Sequence, residues 1–218
     1  MERGRREPAR FEDRKDAGRQ LAAAIRDRGV EADVVLAIPR GGLPVGRAVA
    51  DELGVPLDIV VASKIGAPGN PEFAIGAVAS DGSAWLDEAA IDRFGIDEDY
   101  VETQRELEAE TARSKAERYR EGREPPSLEG KSIVVVDDGV ATGSTARAAL
   151  RLVRKEGADR VVLAVPVGPP DAVEELRNEA DAVIAVSTPR HFSAVGQFYD
   201  RFDQVSDDEA MAYLRGEG

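Results

Sequence analysis

The sequence contains no cysteine and only one histidine, His191. The first absence excludes disulfides, thiolate zinc sites and cysteine nucleophiles. No apolar run approaches the roughly 20 residues of a membrane span, so no membrane partner is expected. Residues 1–10 are charged and lack the apolar stretch of a secretion signal, which makes a cytoplasmic protein the expectation. Lysine is also scarce: Lys15, Lys64, Lys115, Lys131 and Lys155 are the whole set, and arginine supplies the other basic residues. The net charge is −13, which argues against sequence-independent nucleic-acid binding, because that needs a basic face. No G-x-x-x-x-G-K-S/T occurs, so an ATP-binding P-loop enzyme is disfavoured. The acidic, lysine-poor composition suits a salt-rich cytosol and equally an arginine-coding genome. Neither reading reports on activity.

What is present is core-forming material. Hydrophobic residues make up 42% of the 218, enough for one domain over residues 1–218. Residues 14–28 space Ala17, Leu21, Ala24 and Ile25 on one helical face, and Gly29 follows as a stop. Residues 33–38 (DVVLAI), 56–62 (PLDIVVA), 132–136 (SIVVV), 161–165 and 182–186 are short, nearly continuous apolar runs, the pattern of strands buried on both faces. Helical spacing occupies 43–53, 144–156 and 171–179 between them. This alternation predicts an α/β fold: an open, mostly parallel sheet with flanking helices. Residues 65–82 are rich in Gly, Pro and Ala, and read as a mobile loop leading into a hairpin with strands at 73–79 and 83–86. A short helix at 87–93 and a long charged one at 97–120 follow, the latter with Tyr100, Leu107 and Tyr119 as sparse apolar contacts. The core is thus expected at about 33–186, with a hairpin and helical insertion at about 65–121 and a small C-terminal hood at about 187–218.

In an open parallel sheet, ligands bind outside the carboxyl ends of the strands. The first strand ends in Pro39-Arg40-Gly41-Gly42, the second in Ser63-Lys64, and the 132–136 strand in Asp137-Asp138-Gly139-Val140-Ala141-Thr142-Gly143-Ser144-Thr145. The last of these suits a phosphate monoester. Gly and Ala allow close backbone approach, Thr142, Ser144 and Thr145 add hydroxyls, and a helix N-terminus follows. Asp137 and Asp138 would repel a phosphate. They make sense as acceptors for paired hydroxyls, as on a ribose, and as outer, mostly indirect partners of Mg²⁺. Arg40 and Lys64 supply cationic charge, and Gly41-Gly42 bare amides, a combination that favours pyrophosphate.

Residues 133–145 resemble the PRPP-binding signature of type I phosphoribosyltransferases. Carried over by that resemblance, Asp137 and Asp138 bind the ribose hydroxyls, the 141–145 turn binds the 5′-phosphate, and Arg40 with Gly41 forms the pyrophosphate loop. Lys64 is the looser match, to a basic residue near the family's flexible loop. Gly139 departs from the family, which usually has a branched aliphatic residue or serine there, and a looser turn is the expected consequence. Ala141 stands where hypoxanthine-guanine enzymes carry an aspartate general base, which disfavours an oxopurine acceptor. The SKIGAPGNPEFAIGAV and FSAVGQFYDRF segments are similar to those of a group of predicted phosphoribosyltransferases. The resemblance implies a phosphoribosyltransferase that uses PRPP and Mg²⁺, transfers the phosphoribosyl group to a nucleobase-like nitrogen acceptor and releases pyrophosphate. A non-catalytic PRPP or nucleotide sensor and a hydrolase are the alternatives.

In the hood, His191 and Phe192 are candidates for the acceptor side, although a lone histidine such as His191 reads first as a structural residue. Trp85 reads as hairpin packing, and the 97–120 charge run as a solvated helix or a homodimer contact.

Overall fold

In the computed structural model, which describes residues 10–218, the apolar runs assemble into a five-stranded parallel sheet. In chain order the elements are α1 (Arg14–Asp27), β1 (Val34–Ala37), α2 (Gly42–Leu53), β2 (Leu57–Ile59), β3 (Ala62–Ala67), β4 (Asn70–Ala79), β5 (Ala84–Leu86), α3 (Glu88–Phe94), α4 (Glu98–Arg120), β6 (Ser132–Val136), α5 (Ser144–Lys155), β7 (Arg160–Val167), α6 (Pro170–Leu176), β8 (Ala182–Ser187), a 3₁₀ turn (Val195–Phe198) and α7 (Asp207–Arg215). Residues 1–9, and with them most of the segment expected to carry no secretion signal, lie outside the described residues.

The strand order is β2-β1-β6-β7-β8. The chain winds outward from β1 to β2 on one side and from β6 to β8 on the other, so the winding direction reverses between β1 and β6. That reversal is the topological switch point. Both faces of the sheet are covered, which explains the unbroken apolar runs. Val35, Ala37, Val134, Val136, Val162 and Ala164 pack with α1, α2, α7 and the end of α4. Their neighbours Val34, Leu36, Ile133, Val135, Leu163 and Val165 pack with α5 and α6. Helix α1, which precedes the expected start of the core at 33, rests on α2, β7 and β8.

The second sheet departs from expectation. The run at 56–62 splits: β2 ends at Ile59, and Ala62 already opens an antiparallel sheet of order β3-β4-β5. Most of the expected mobile loop is therefore β ladder, with a turn at Gly69 (φ 73°). The physical reason lies in the burial of Ile65 and Ile75, which sit with Val78, Val101 and Ala109 in a small core of their own. Tyr100 secures this sheet by donating its hydroxyl to the Gly66 carbonyl at 3.0 Å. Helix α4 bridges the two sheets through small residues, burying Val101, Ala109, Ala112, Ala116 and Tyr119. Leu107, expected as an apolar contact, is 57% exposed. Trp85 on β5 lies under the Arg147 guanidinium of α5, 4.6 Å from its ring centroid, and so joins the hairpin sheet to the main layer. Among the described residues, no helix is long and apolar enough to cross a membrane.

Candidate functional site

The turns after β1 and β6 meet at the switch point. Val34–Ala37 pairs in register with residues 133–136, and the Ile38 amide donates to the Val136 carbonyl at 2.9 Å, so both strands end at one level. The two turns then touch. A Cβ on Gly42 would lie 2.9 Å from the Val136 carbonyl oxygen and 3.1 Å from the Asp137 Cα. A Cβ on Gly41 would lie 2.0 Å from the Asp138 Oδ2. What these glycines provide is room for the acid pair. The expectation of bare amides is corrected at Gly42, whose N–H donates to the Ile38 carbonyl at 3.1 Å.

Asp137 and Asp138 stand side by side at the end of β6, and the Asp138 amide donates to the Asp137 carboxylate at 2.8 Å. Burial, and next the Asp138 charge, push the Asp137 carboxyl well above the ordinary carboxylate range. Burial also raises Asp138, but the charge of Arg14 opposes the shift. Arg14, from the first turn of α1, donates its Nε to Asp138 at 2.8 Å, and the two side chains are only 12% and 14% exposed. The Arg14 guanidinium also stacks 3.8 Å over Phe202 and donates to the Asp203 carbonyl at 2.7 Å.

Beyond the acids the chain makes a small-residue turn into α5. Gly143 caps the helix in the left-handed conformation (φ 78°), which only glycine adopts without cost. Ala141 and Thr142 are exposed and Ser144 is buried, with the Thr142 and Ser144 hydroxyls 3.1 Å apart. Thr145 is half-buried in the first helical turn, where the leading backbone N–H groups have no intrahelical acceptor. The looser turn expected at Gly139 is not found. A Cβ there would meet Val195 at 2.7 Å and Val167 at 3.0 Å, so the missing side chain is replaced by a residue of the C-terminal segment.

That segment is the expected hood, but its contacts with the acid pair and Arg14 were not legible in the sequence. It crosses the switch point in order: Val195 on Gly139, the Tyr199 hydroxyl donating to the Asp138 carbonyl at 2.5 Å, Phe202 and Asp203 on Arg14, and Asp207 accepting from Arg40 at 3.4 Å. Burial, and then the Asp138 charge, raise the Tyr199 phenol, so it stays a donor. Residues 10–13 fasten the segment: Phe11 donates its amide to the Phe198 carbonyl at 2.8 Å, and the Asp200 amide donates back to the Phe11 carbonyl at 2.8 Å. The one available signal was the aromatic clustering in the FSAVGQFYDRF segment.

Arg40, after a cis Pro39–Arg40 peptide, turns its guanidinium to Asp207. Lys64 is an exposed residue of β3, in register with Ala77. His191 is exposed, and its carbonyl accepts from Gln197 at 3.1 Å. Phe192 is half-buried, its ring stacked on Phe198 at 5.4 Å. A cavity of about 710 Å³ lies elsewhere, between the β3–β4 turn and the start of α4, lined by Ala67, Phe73, Phe94 and Tyr100 among others.

Comparison with known proteins agrees with this architecture. Over 207 residues, 94% of the chain, the sequence is 46% identical to Mycobacterium tuberculosis proteins that bear the name "Putative phosphoribosyl transferase". The chain spans about half the length of those relatives, 46%. The crystal structure of TT1426 from Thermus thermophilus superposes with a TM-score of 0.80 at 47% identity, covering 94% of this chain and 97% of that one. The family model of the phosphoribosyl transferase domain matches residues 10–202. With the acid pair, the small-residue turn and the switch-point geometry in place, the chain belongs to the phosphoribosyl transferase family.

Proposed function

We propose that this chain binds PRPP at the switch point and transfers its phosphoribosyl group to a nucleobase-like nitrogen acceptor, with release of pyrophosphate. The observation that carries this reading is the contact between the two turns. The Asp138 carboxylate lies on Gly41, which brings an acceptor pair, a cationic turn and a helix N-terminus to one rim. Asp137 and Asp138 are assigned to the ribose hydroxyls, and Ala141, Thr142, Gly143, Ser144 and Thr145 to the 5′-phosphate. Arg40 is assigned to the diphosphate, and Gly41, Gly42 and Gly139 to the close packing that shapes the pocket. Lys64, on the neighbouring sheet, is left out of this set.

In the reaction the C1–O bond to the diphosphate breaks while the acceptor nitrogen bonds to C1, and the acceptor's proton leaves. Positive charge grows on the ribose ring as the diphosphate departs. The chain's own contribution is then to hold the sugar rigidly and to neutralise the leaving group. The described residues bring no three acidic or histidine side chains together as a metal cage. The Asp137–Asp138 pair fits Mg²⁺ held mainly by substrate oxygens and water. When bound, that ion would supply charge neutralisation at the diphosphate. Ala141 offers no group to take the acceptor's proton, which favours an acceptor other than an oxopurine. Phe192, half-buried in the C-terminal segment, offers that acceptor a ring face.

The test is a panel of nitrogen bases incubated with PRPP and MgCl₂ and assayed for pyrophosphate release. Release that depends on one base is the expected result. PRPP binding without release from any base would favour the sensor, and base-independent release the hydrolase.

A further inference from the structure

Next to the Pro39–Gly42 turn, two cations pair with one carboxylate, and a third lies by the tyrosine bonded to it. Asp207, the first residue of α7, accepts from the Tyr119 hydroxyl at 2.6 Å and from Arg40 at 3.4 Å, and pairs with Arg118 at 2.8 Å. The Lys115 amine lies 5.8 Å from the centroid of the same Tyr119 ring. Burial, and then the charge of Arg40, hold that amine below the ordinary lysine range, so Lys115 and Arg40 feel each other directly. Lys115 and Arg118 are three residues apart on α4, on neighbouring positions of one helical face.

A purely structural purpose does not account for this grouping. Helix α4 is already anchored by Arg120, which pairs with Asp58 at 3.1 Å and donates to the Ile59 carbonyl at 2.9 Å. Burial of Ala112, Ala116 and Tyr119 anchors it further. Three cations against one acid leave a local positive surplus in a chain whose net charge is −13. Like charges gathered in this way repel one another unless an anion of higher charge joins them. A diphosphate carries more negative charge than a carboxylate and offers several acceptor oxygens, suited to a forked guanidinium and a point-like ammonium together.

We propose that Lys115 and Arg118 of α4 join Arg40 as binding residues for the pyrophosphate end of the ligand, with Asp207 as the internal counter-ion that the diphosphate displaces. The assignment rests on the PRPP reading above. It gives the helical insertion a chemical task and supplies the cationic charge that Lys64 was expected to bring. A phosphate at residues 141–145 would lie on the other turn, so this trio separates the two ends of the ligand.

The experiment is calorimetric titration of inorganic pyrophosphate, PRPP and ribose 5-phosphate, each with MgCl₂. It compares the wild-type chain, the Lys115→Gln/Arg118→Gln double variant and Asp207→Asn. The double variant is expected to lose about tenfold in affinity for pyrophosphate and PRPP, with ribose 5-phosphate unchanged. Asp207→Asn keeps an acceptor for Tyr119 and removes the competing charge, so pyrophosphate should bind about threefold tighter. Equal pyrophosphate and PRPP affinities in the double variant and wild type would overturn the assignment and leave the PRPP reading standing. An equal loss for all three ligands would overturn it too, because it would mark a general distortion. A wild-type chain that takes none of the three would remove the PRPP reading itself.

Discussion

The two turns at the switch point touch, yet they are furnished in opposite ways. The turn after β6 carries its acids, its small residues and its hydroxyls in nine consecutive positions, 137–145. The turn after β1 contributes little beyond Arg40 and two glycines. The brace around the pair is assembled from a distance: Arg14 and Tyr199 hold Asp138, and Asp207 holds Arg40, drawn from both ends of the described chain. The difference teaches where function and stability separate. Changes to the acids and hydroxyls of the local turn should alter ligand binding with little loss of fold, whereas changes in the assembled brace, and in the turn's contact with it, should loosen the structure around an unchanged set of acids.

The sharpest way to break that contrast is at Arg14. Arg14→Gln leaves the largely buried Asp138 carboxylate beside Asp137 without its counter-charge. Denaturant unfolding should show a loss of about 3 kcal/mol. No loss would mean the ion pair is not part of the brace.

Overfilling the contact between the local turn and the C-terminal segment comes next. Gly139→Val drives a side chain into Val195 and Val167 and should lower stability by about 2 kcal/mol. Adding Val195→Ala should recover part of the loss, and strict additivity of the two changes would show that Gly139 and Val195 do not interact.

Tyr199→Phe removes the hydroxyl that donates to the Asp138 carbonyl, and a loss of about 1 kcal/mol is expected in the same unfolding measurement.

The smallest effect has the opposite sign. Burial raises the Asp137 carboxyl in the folded state, so that state holds its proton to higher pH than the unfolded chain does. Stability contributed by this group is therefore present at acid pH and declines as pH rises from the unfolded value of about 3.9 toward the raised folded one. Asp137→Asn keeps the acceptor for the Asp138 amide and should raise the melting temperature by a few degrees at pH 7, with the gain shrinking as the pH is lowered. A gain that is independent of pH would contradict this origin.

The same division decides what was legible in the amino-acid sequence. The five parallel strands, their helices and the 137–145 turn were readable, because continuous apolar runs and adjacent chemical groups are local properties. Arg14 was not, since its partner lies 124 residues away and nothing around it distinguishes it from other helical arginines. The 65–72 segment was misread as a loop for a related reason. Its Gly and Pro content signals a loop, and only the burial of Ile65 and Ile75 against Val101 and Ala109 makes it a sheet. Gly139 could not be understood without Val195.

The central claim is that the acid pair and the hydroxyl-bearing turn act as one PRPP site. Calorimetry with PRPP and MgCl₂ on the wild-type chain and on Asp137→Asn/Asp138→Asn tests it directly. Saturable binding to the wild type is predicted, with a loss of roughly 100-fold or more in a variant that still melts cooperatively. Equal affinity in the two proteins would contradict the claim.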